Sequence, residues 1–265
     1  MATFLRIPIY PALAPFINEI LIQDSSASAA PGELRYAVYP KPFPVIGFQY
    51  RGRLGVIRDT GPRLLSPSGI TGIQSAPCFF KAGTETRTIL VTLKPYGAFA
   101  LLGCSADMLA DEHAALDLFF PASLLRLVEE QIAEATSLEQ RAQIVSEFLI
   151  ERLKASHHTA HPAVIETTCR ILNSHGSERI ESIPAGLAIS KRQLERLFKT
   201  QVGTGPKRFA ALVRFARLLE SLPARRSWAD LAVEVGFADQ AHFVRSFTLF
   251  AGCTPTRYLR STRRA

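Results

Sequence analysis

Two stretches near the C-terminal end, "RQLERLFKTQVGTGPKRF" at 192–209 and "AHFVRSFTLFAGCTPTRYL" at 241–259, repeat one pattern at a constant distance. Leu194 and Phe243, Arg196 and Arg245, Phe198 and Phe247, Gly203 and Gly252, Pro206 and Pro255, Arg208 and Arg257, and Phe209 and Tyr258 are each 49 residues apart. Chemically matched pairs at one offset without a gap describe a duplicated supersecondary unit, and two copies are too few for a solenoid. Each copy reads as a short helix closed by Gly and followed by a helix that Pro opens.

The residues around the repeat extend the helical pattern. "PAVIETTCRILNSHG" ends in a glycine cap, "ESIPAGLA" is a short helix, and "SKRQLERLFKTQVG" begins with Ser190 and carries Gln193 three residues on, a capping-box spacing. Pro206 opens "PKRFAALVRFARLLESL" and Pro223 stops it; "SWADLAVEVG", "DQAHFVRSFTLFAG" and "PTRYLR" follow. This gives seven helices, arranged as one helix, two pairs joined by a long connector, and a terminal piece.

A helix paired with a second one after a tight turn is the helix-turn-helix arrangement, whose second helix enters a DNA major groove. In the first copy Leu194, Leu197 and Phe198 share one face, while Arg192, Glu195, Arg196 and Lys199 share the opposite one. The apolar face anchors the helix and the basic face is the expected reading face, with Lys191 beside it. The offset places Ala241, Val244, Arg245 and Thr248 on the second reading face, with Gln240 and His242 adjacent. Arginine donates bidentately to guanine, and small apolar groups meet thymine methyls, so Arg245 is expected to carry the second helix's polar contact. Lys207, Arg208 and Arg257 are placed for phosphates, contacts that position without specifying. Each basic residue could serve instead in an intradomain ion pair or on a solvated surface.

Charge is divided to match. Residues 1–155 hold 14 Lys and Arg against 15 Asp and Glu, whereas 156–265 hold 17 against 8. The excess of +8 thus belongs to the repeat-bearing part, as for a domain that meets a polyanion.

These residues resemble the DNA-binding domain of AraC/XylS transcription regulators over roughly 161–261. The second copy carries the most specific part of the likeness: Ala232, Gly236, Phe237, Asp239, Phe243, Arg245, Phe247, Gly252, Pro255 and Tyr258. The resemblance implies two helix-turn-helix units on a long connecting helix, so that one chain sets two recognition helices in successive major grooves. Ile183 and Pro184 stand where the family has a Leu-Ala pair, and Ala188 where a turn glycine is common; Pro184 with Gly186 is expected to weaken that helix.

The preceding half is of another kind. From Leu34 to Leu93, "LRYAVYP", "VIGFQY", "GITGIQ", "CFFKA" and "RTILVTL" are short β-branched and aromatic runs punctuated by Pro and Gly, which predicts an antiparallel sheet folded as a sandwich or small barrel. "SSASAAPGE" at 25–33 reads as a surface loop. After Pro95 come the helical stretches "YGAFALLG", "ASLLRLVEEQIAEA" and "LEQRAQIVSEFLIERL". In the last, Ile144, Phe148, Leu149 and Leu153 form an apolar face open to packing on the sheet or to pairing two subunits. The fold class expected is α+β: a β-rich sensory domain with helices over 1–153, a linker at 154–160, and an all-α double helix-turn-helix domain over 161–265. "PALAPFINEILI" and "LVTLKPYGAFALLG" are similar to sensory domains of some of these regulators, which implies effector sensing; Tyr36, Phe48, Tyr50 and Phe79 are candidates to line a pocket.

Other classes find less support. Cys78, Cys104, Cys169 and Cys253 lack metal-ligand spacing and read as buried or free thiols. All six histidines lie outside 34–93, so no histidine metal site is expected in the sheet. No P-loop or nucleophile elbow occurs, so no enzyme, cofactor or metal is expected. The first 16 residues hold one basic residue and an apolar stretch broken by Pro8, Pro11 and Pro15, and no run approaches a membrane span, so a cytoplasmic protein is expected, and the resemblance implies a bacterial one. Double-stranded DNA is the expected partner. RNA polymerase, a small-molecule effector and a second copy of the chain stay open, as does a regulator without ligand, controlled by its abundance or by a protein partner.

Overall fold

The computed structural model describes residues 3–24, 34–83, 85–180, 183, 189–221 and 239–262. Ten strands precede most of the helices: β1 (Thr3–Ile7), β2 (Ile17–Asp24), β3 (Leu34–Val38), β4 (Val45–Arg51), β5 (Leu54–Arg58), β6 (Gly61–Leu64), β7 (Ser68–Thr71), β8 (Cys78–Ala82), β9 (Arg87–Leu93) and β10 (His113–Ala115). They form a six-stranded sheet of order β1-β2-β9-β4-β7-β10 and a four-stranded sheet of order β3-β8-β5-β6, with antiparallel pairing throughout. The expected strands form; β1, β2, β5, β6 and β10 add to them.

Period-two alternation gives the larger sheet two different faces. Ile20 and Ile22, Ile46 and Phe48, and Ile89, Val91 and Leu93 point to one side and are buried there. The helices α1 (Gly97–Leu102), α2 (Ala122–Glu134) and α3 (Leu138–Ala155) cover that side, inserting Leu125, Val128, Ile132, Val145, Phe148 and Leu149. Burying each such large side chain contributes about 1.5–3 kcal/mol. The apolar face of α3 is thus occupied by its own sheet. The opposite face looks across a cavity at the four-stranded sheet, and the two sheets meet where the Phe80 ring stands edge-on to His113, centroids 5.6 Å apart.

Helix α3 continues to Ala155, and residues 156–161 carry neither helix nor strand. That stretch is packed: Ser156 Oγ donates to the Ala100 carbonyl at 2.6 Å, His158 stands edge-on to Phe99, and Ala160 is buried. The all-helical part then follows as α4 (Pro162–Asn173), α5 (Lys191–Val202), α6 (Pro206–Ser221), α7 (Gln240–Ala251) and α8 (Pro255–Thr262). Pro162, Pro206 and Pro255 each open a helix, where a missing N–H leaves no bond unmade. An N-terminal part of antiparallel sheets is therefore followed by a helical C-terminal part, with eight α-helices among the described residues. The expected helices "ESIPAGLA", apart from the buried Ile183, and "SWADLAVEVG" lie outside the described residues, as do the loop at 25–33 and the expected effect of Pro184.

Candidate functional site

The sequence repeat is a structural repeat bond for bond. The Leu194 N–H donates to the Ser190 carbonyl, Gly203 to Lys199 and Phe209 to Gly205; the Phe243 N–H donates to Asp239, Gly252 to Thr248 and Tyr258 to Thr254, at the same offset. Gly203 and Gly252 both take left-handed backbone, φ +95° and +67°, and so end α5 and α7 alike. Ser190 caps α5 by accepting the Gln193 N–H at 3.2 Å.

In both helices an apolar face is buried and the cations face out. Leu194 and Phe198 of α5 and Phe243 and Phe247 of α7 are at most 1% exposed. Lys191, Arg192, Glu195, Arg196 and Lys199 are exposed, as are Gln240, Ala241 and Arg245. Val244 and Thr248 are half-buried, Val244 against the helical core, which leaves it less surface than a reading residue offers. The His242 side chain lies outside the described residues. Lys207, Arg208 and Arg257 are exposed on the first turns of α6 and α8. Glu195 stands apart from its neighbours: a side chain added at Gly205 would collide with its carboxylate. That places a negative charge beside the N-terminal end of α6, where the helix dipole favours it.

Helix α6 ties the two units together. Phe209 packs on Phe198 of α5 with centroids 5.4 Å apart, and Phe215 packs on Phe247 and Phe250 of α7 at 5.6 and 5.3 Å. Phe209 and Phe215 are thus separated by about 9 Å of helix at 1.5 Å rise per residue. Both units also touch the N-terminal part. The Ala106 carbonyl would lie 2.8 Å from a β-carbon on Gly203, and Tyr39 meets Tyr258.

A cavity of about 960 Å³ lies between the two sheets. The larger sheet lines it with Gln23, Gln49, Thr88 and Thr92, the smaller with Tyr36 and Phe80. Leu172 and His175, at and just beyond the end of α4, and Val213, Ala216 and Leu219 of α6 complete the wall. The spacer helix between the two units is therefore also part of the cavity. Of the four aromatic residues expected there, Tyr36 lines it. Phe48 and Tyr50 lie on the opposite, helix-covered face, Phe48 edge-on to Phe148 and Tyr50 beneath the Arg141 guanidinium at 4.7 Å. Phe79 lies on the outside of the smaller sheet, 52% exposed. Alternation along the strands separates these aromatics from the cavity. The polar residues that do line it belong to sequences such as "RTILVTL", where Thr at every fourth position is the available signal.

His113 corrects the expectation of a sheet without histidine. It sits on β10, faces the cavity and bonds Thr71 Oγ1 through Nδ1 at 2.8 Å. Burial first, then Arg58, lowers its pKa to about 4, partly opposed by Glu112. Among the described residues no group of three or more His, Cys, Asp or Glu comes together, and no helix is long and apolar enough to cross a membrane. The four cysteines are free; Cys169 is exposed and the others half-buried.

Residues 185–261 match the family described as a helix-turn-helix domain. The Msm operon regulatory protein of Streptococcus mutans is 25% identical over 143 residues, 52% of this chain and 51% of that protein. The bifunctional transcriptional activator/DNA repair enzyme Ada of Escherichia coli is 29% identical over 108 residues, 41% of this chain and 30% of Ada. The chain thus spans about half or less of the curated relatives it matches. The crystal structure of wild-type ToxT from Vibrio cholerae with unsaturated fatty acid bound aligns over 91% of this chain and 94% of that one, at 12% identity and a TM-score of 0.47. The match over residues 185–261 is to that helix-turn-helix domain family, and it contains both α5 and α7 with their repeated backbone bonds.

Proposed function

We propose that this protein is a bacterial, cytoplasmic, non-enzymatic transcription regulator that binds a specific double-stranded promoter element through residues 161–265. One observation carries the reading. Two helices with matching backbone bonds, α5 and α7, expose Arg196 and Arg245 at equivalent positions while their buried faces are fixed to a common spacer. Such a pair suits two major-groove segments one helical turn, about 34 Å, apart. The duplication then does within one chain what a symmetric dimer does with two. Lys207, Arg208 and Arg257 would hold phosphates and set the register.

The N-terminal part would modulate this activity. Its cavity is walled partly by α6, so a ligand that prefers one placement of the spacer changes the population competent to bind DNA. A large, partly polar cavity of this kind supports control by a small molecule over control by abundance or a protein partner.

The test is selection of bound sequences from a random duplex library at near-physiological salt. The reading expects two short conserved elements separated by about one helical turn. Recovery of no motif, with binding that collapses as salt rises, would reduce the interaction to nonspecific polyanion attraction.

A further inference from the structure

The cavity face of the larger sheet is organised in rows, because residues paired across antiparallel strands stand side by side and alternate residues share a face. One row crosses β2, β9 and β4 as Gln23, Thr88 and Gln49. Two residues along, the next is Leu21, Leu90 and Gly47, continued by Gly69 on β7. The third is Glu19, Thr92, Val45, Thr71 and His113, on β2, β9, β4, β7 and β10. Two polar rows therefore flank an apolar, glycine-containing one. Strand β9 contributes to all three, so at about 3.3 Å per residue the polar rows lie roughly 13 Å apart.

Each polar row has open bonding capacity. Thr88 and Thr92 are 2% and 7% exposed, and both line the cavity. A hydroxyl that opens on a cavity can both donate to and accept from a ligand held there. Gln49, by contrast, is occupied: it donates to the Ser66 carbonyl and accepts from the Leu54 N–H, both at 2.6 Å. Gln23 reaches Tyr36 Oη at 3.4 Å, a long bond that leaves its own carbonyl oxygen open. In the middle row a β-carbon at Gly47 would make only ordinary contacts, at 3.6 and 3.7 Å, so the missing side chain is what keeps the space. Across the cavity the Tyr36 and Phe80 rings are stacked, 5.8 Å apart, as a flat apolar surface.

The charges that line the cavity are paired or exposed. Glu19 is bonded to Arg6 at 2.9 Å, Arg217 lies 3.7 Å from Glu220, and Lys41 and Arg63 are exposed. An anion held against the rows would find no buried cation among the described lining residues, and burying a charge without a partner is strongly unfavourable.

We infer that the cavity binds an uncharged, elongated, flat and largely apolar molecule with a hydroxyl or carbonyl group near each end, its middle over Leu90 and Gly47 and its ends bonded to Thr88 and Thr92. This rests on reading the cavity as an effector site and names the class of effector.

An isosteric series tests it on the full chain: trans-stilbene with a hydroxyl at each para position, the unsubstituted hydrocarbon, and the para dicarboxylate, titrated by calorimetry or fluorescence. The diol is expected to bind at least about tenfold tighter than either relative, and Thr88→Val and Thr92→Val are each expected to weaken it roughly five- to tenfold. Affinity for the hydrocarbon should survive both substitutions, which also reports that the variants fold. Gly47→Leu should abolish binding of all three. Tighter binding of the dicarboxylate, equal binding of the hydrocarbon, or no binding of the diol overturns the inference. Diol binding that leaves DNA affinity unchanged supports the ligand class and overturns the effector reading instead.

Discussion

The ring of Tyr39, in the segment between β3 and β4, stands edge-on to the ring of Tyr258 in the last helix, with centroids 5.2 Å apart and planes at 71°. Tyr258 in turn packs on Phe247 of α7 at 5.5 Å. The N-terminal part is thereby coupled through two aromatic contacts to α7. Edge-to-face pairs contribute about 0.5–1.5 kcal/mol beyond the area they bury. Tyr39→Ala is expected to lower stability by about 1–2 kcal/mol in denaturant unfolding and to weaken any influence of the N-terminal part on DNA affinity. Tyr39→Phe keeps the ring and should behave as the parent.

Gly203 and Gly252 make equivalent caps in different surroundings. Both need left-handed backbone, which disfavours any other residue by about 1–2 kcal/mol. Gly203 also faces the Ala106 carbonyl at a distance no β-carbon tolerates, whereas among the described residues Gly252 faces Pro77, at an ordinary 3.6 Å. Gly203→Ala should therefore cost more stability than Gly252→Ala and should displace α5 from the N-terminal part. Equal losses in equilibrium unfolding would contradict a contact-dependent role for Gly203.

Arg196→Ala and Arg245→Ala are each expected to lose about 1–3 kcal/mol of specific binding and to relax sequence preference at one element only. Lys207→Ala should instead weaken binding evenly across sequences and reduce the salt slope by about one. Competition binding against single-position variants of the selected site separates the two behaviours.

His113 is held neutral in the fold, with its pKa lowered from 6.5 to about 4 by burial first and by Arg58 next. The unfolded chain binds the proton more readily, so this residue's contribution to stability is complete above about pH 6.5 and is lost as pH falls toward 4. Across that window the slope should approach about 1.4 kcal/mol per pH unit from this group. Unfolding titrations between pH 4 and 7, compared with His113→Gln, should show a flatter profile in the variant.

The duplicated helices are legible in the sequence because both copies lie in local, contiguous segments whose 3.6-residue period fixes which side is buried. Leu194, Phe198, Phe243 and Phe247 could be assigned to the core from spacing alone, and the glycine caps follow from the need for left-handed backbone. The cavity is different. Phe48 and Gln49 are adjacent, so alternation says that they face opposite ways, but it does not say which face helices cover. That depends on α2 and α3, some 70 or more residues along the chain. Aromatic content points to Phe48 and Tyr50, whereas the cavity is lined by Thr88, Thr92 and Gln23, whose polarity in buried strands is informative only once the pairing is known. His113 is missed for a related reason: β10 is three residues long and joins the sheet only through β7.

The most direct test of tandem recognition is hydroxyl-radical footprinting of the full chain on its selected site at physiological salt. The account predicts two protected segments on one face of the duplex, centred about 10–10.5 base pairs apart, with Arg196→Ala releasing one and Arg245→Ala the other. A single protected segment, or loss of both together with either substitution, would contradict two helices reading independently along one spacer.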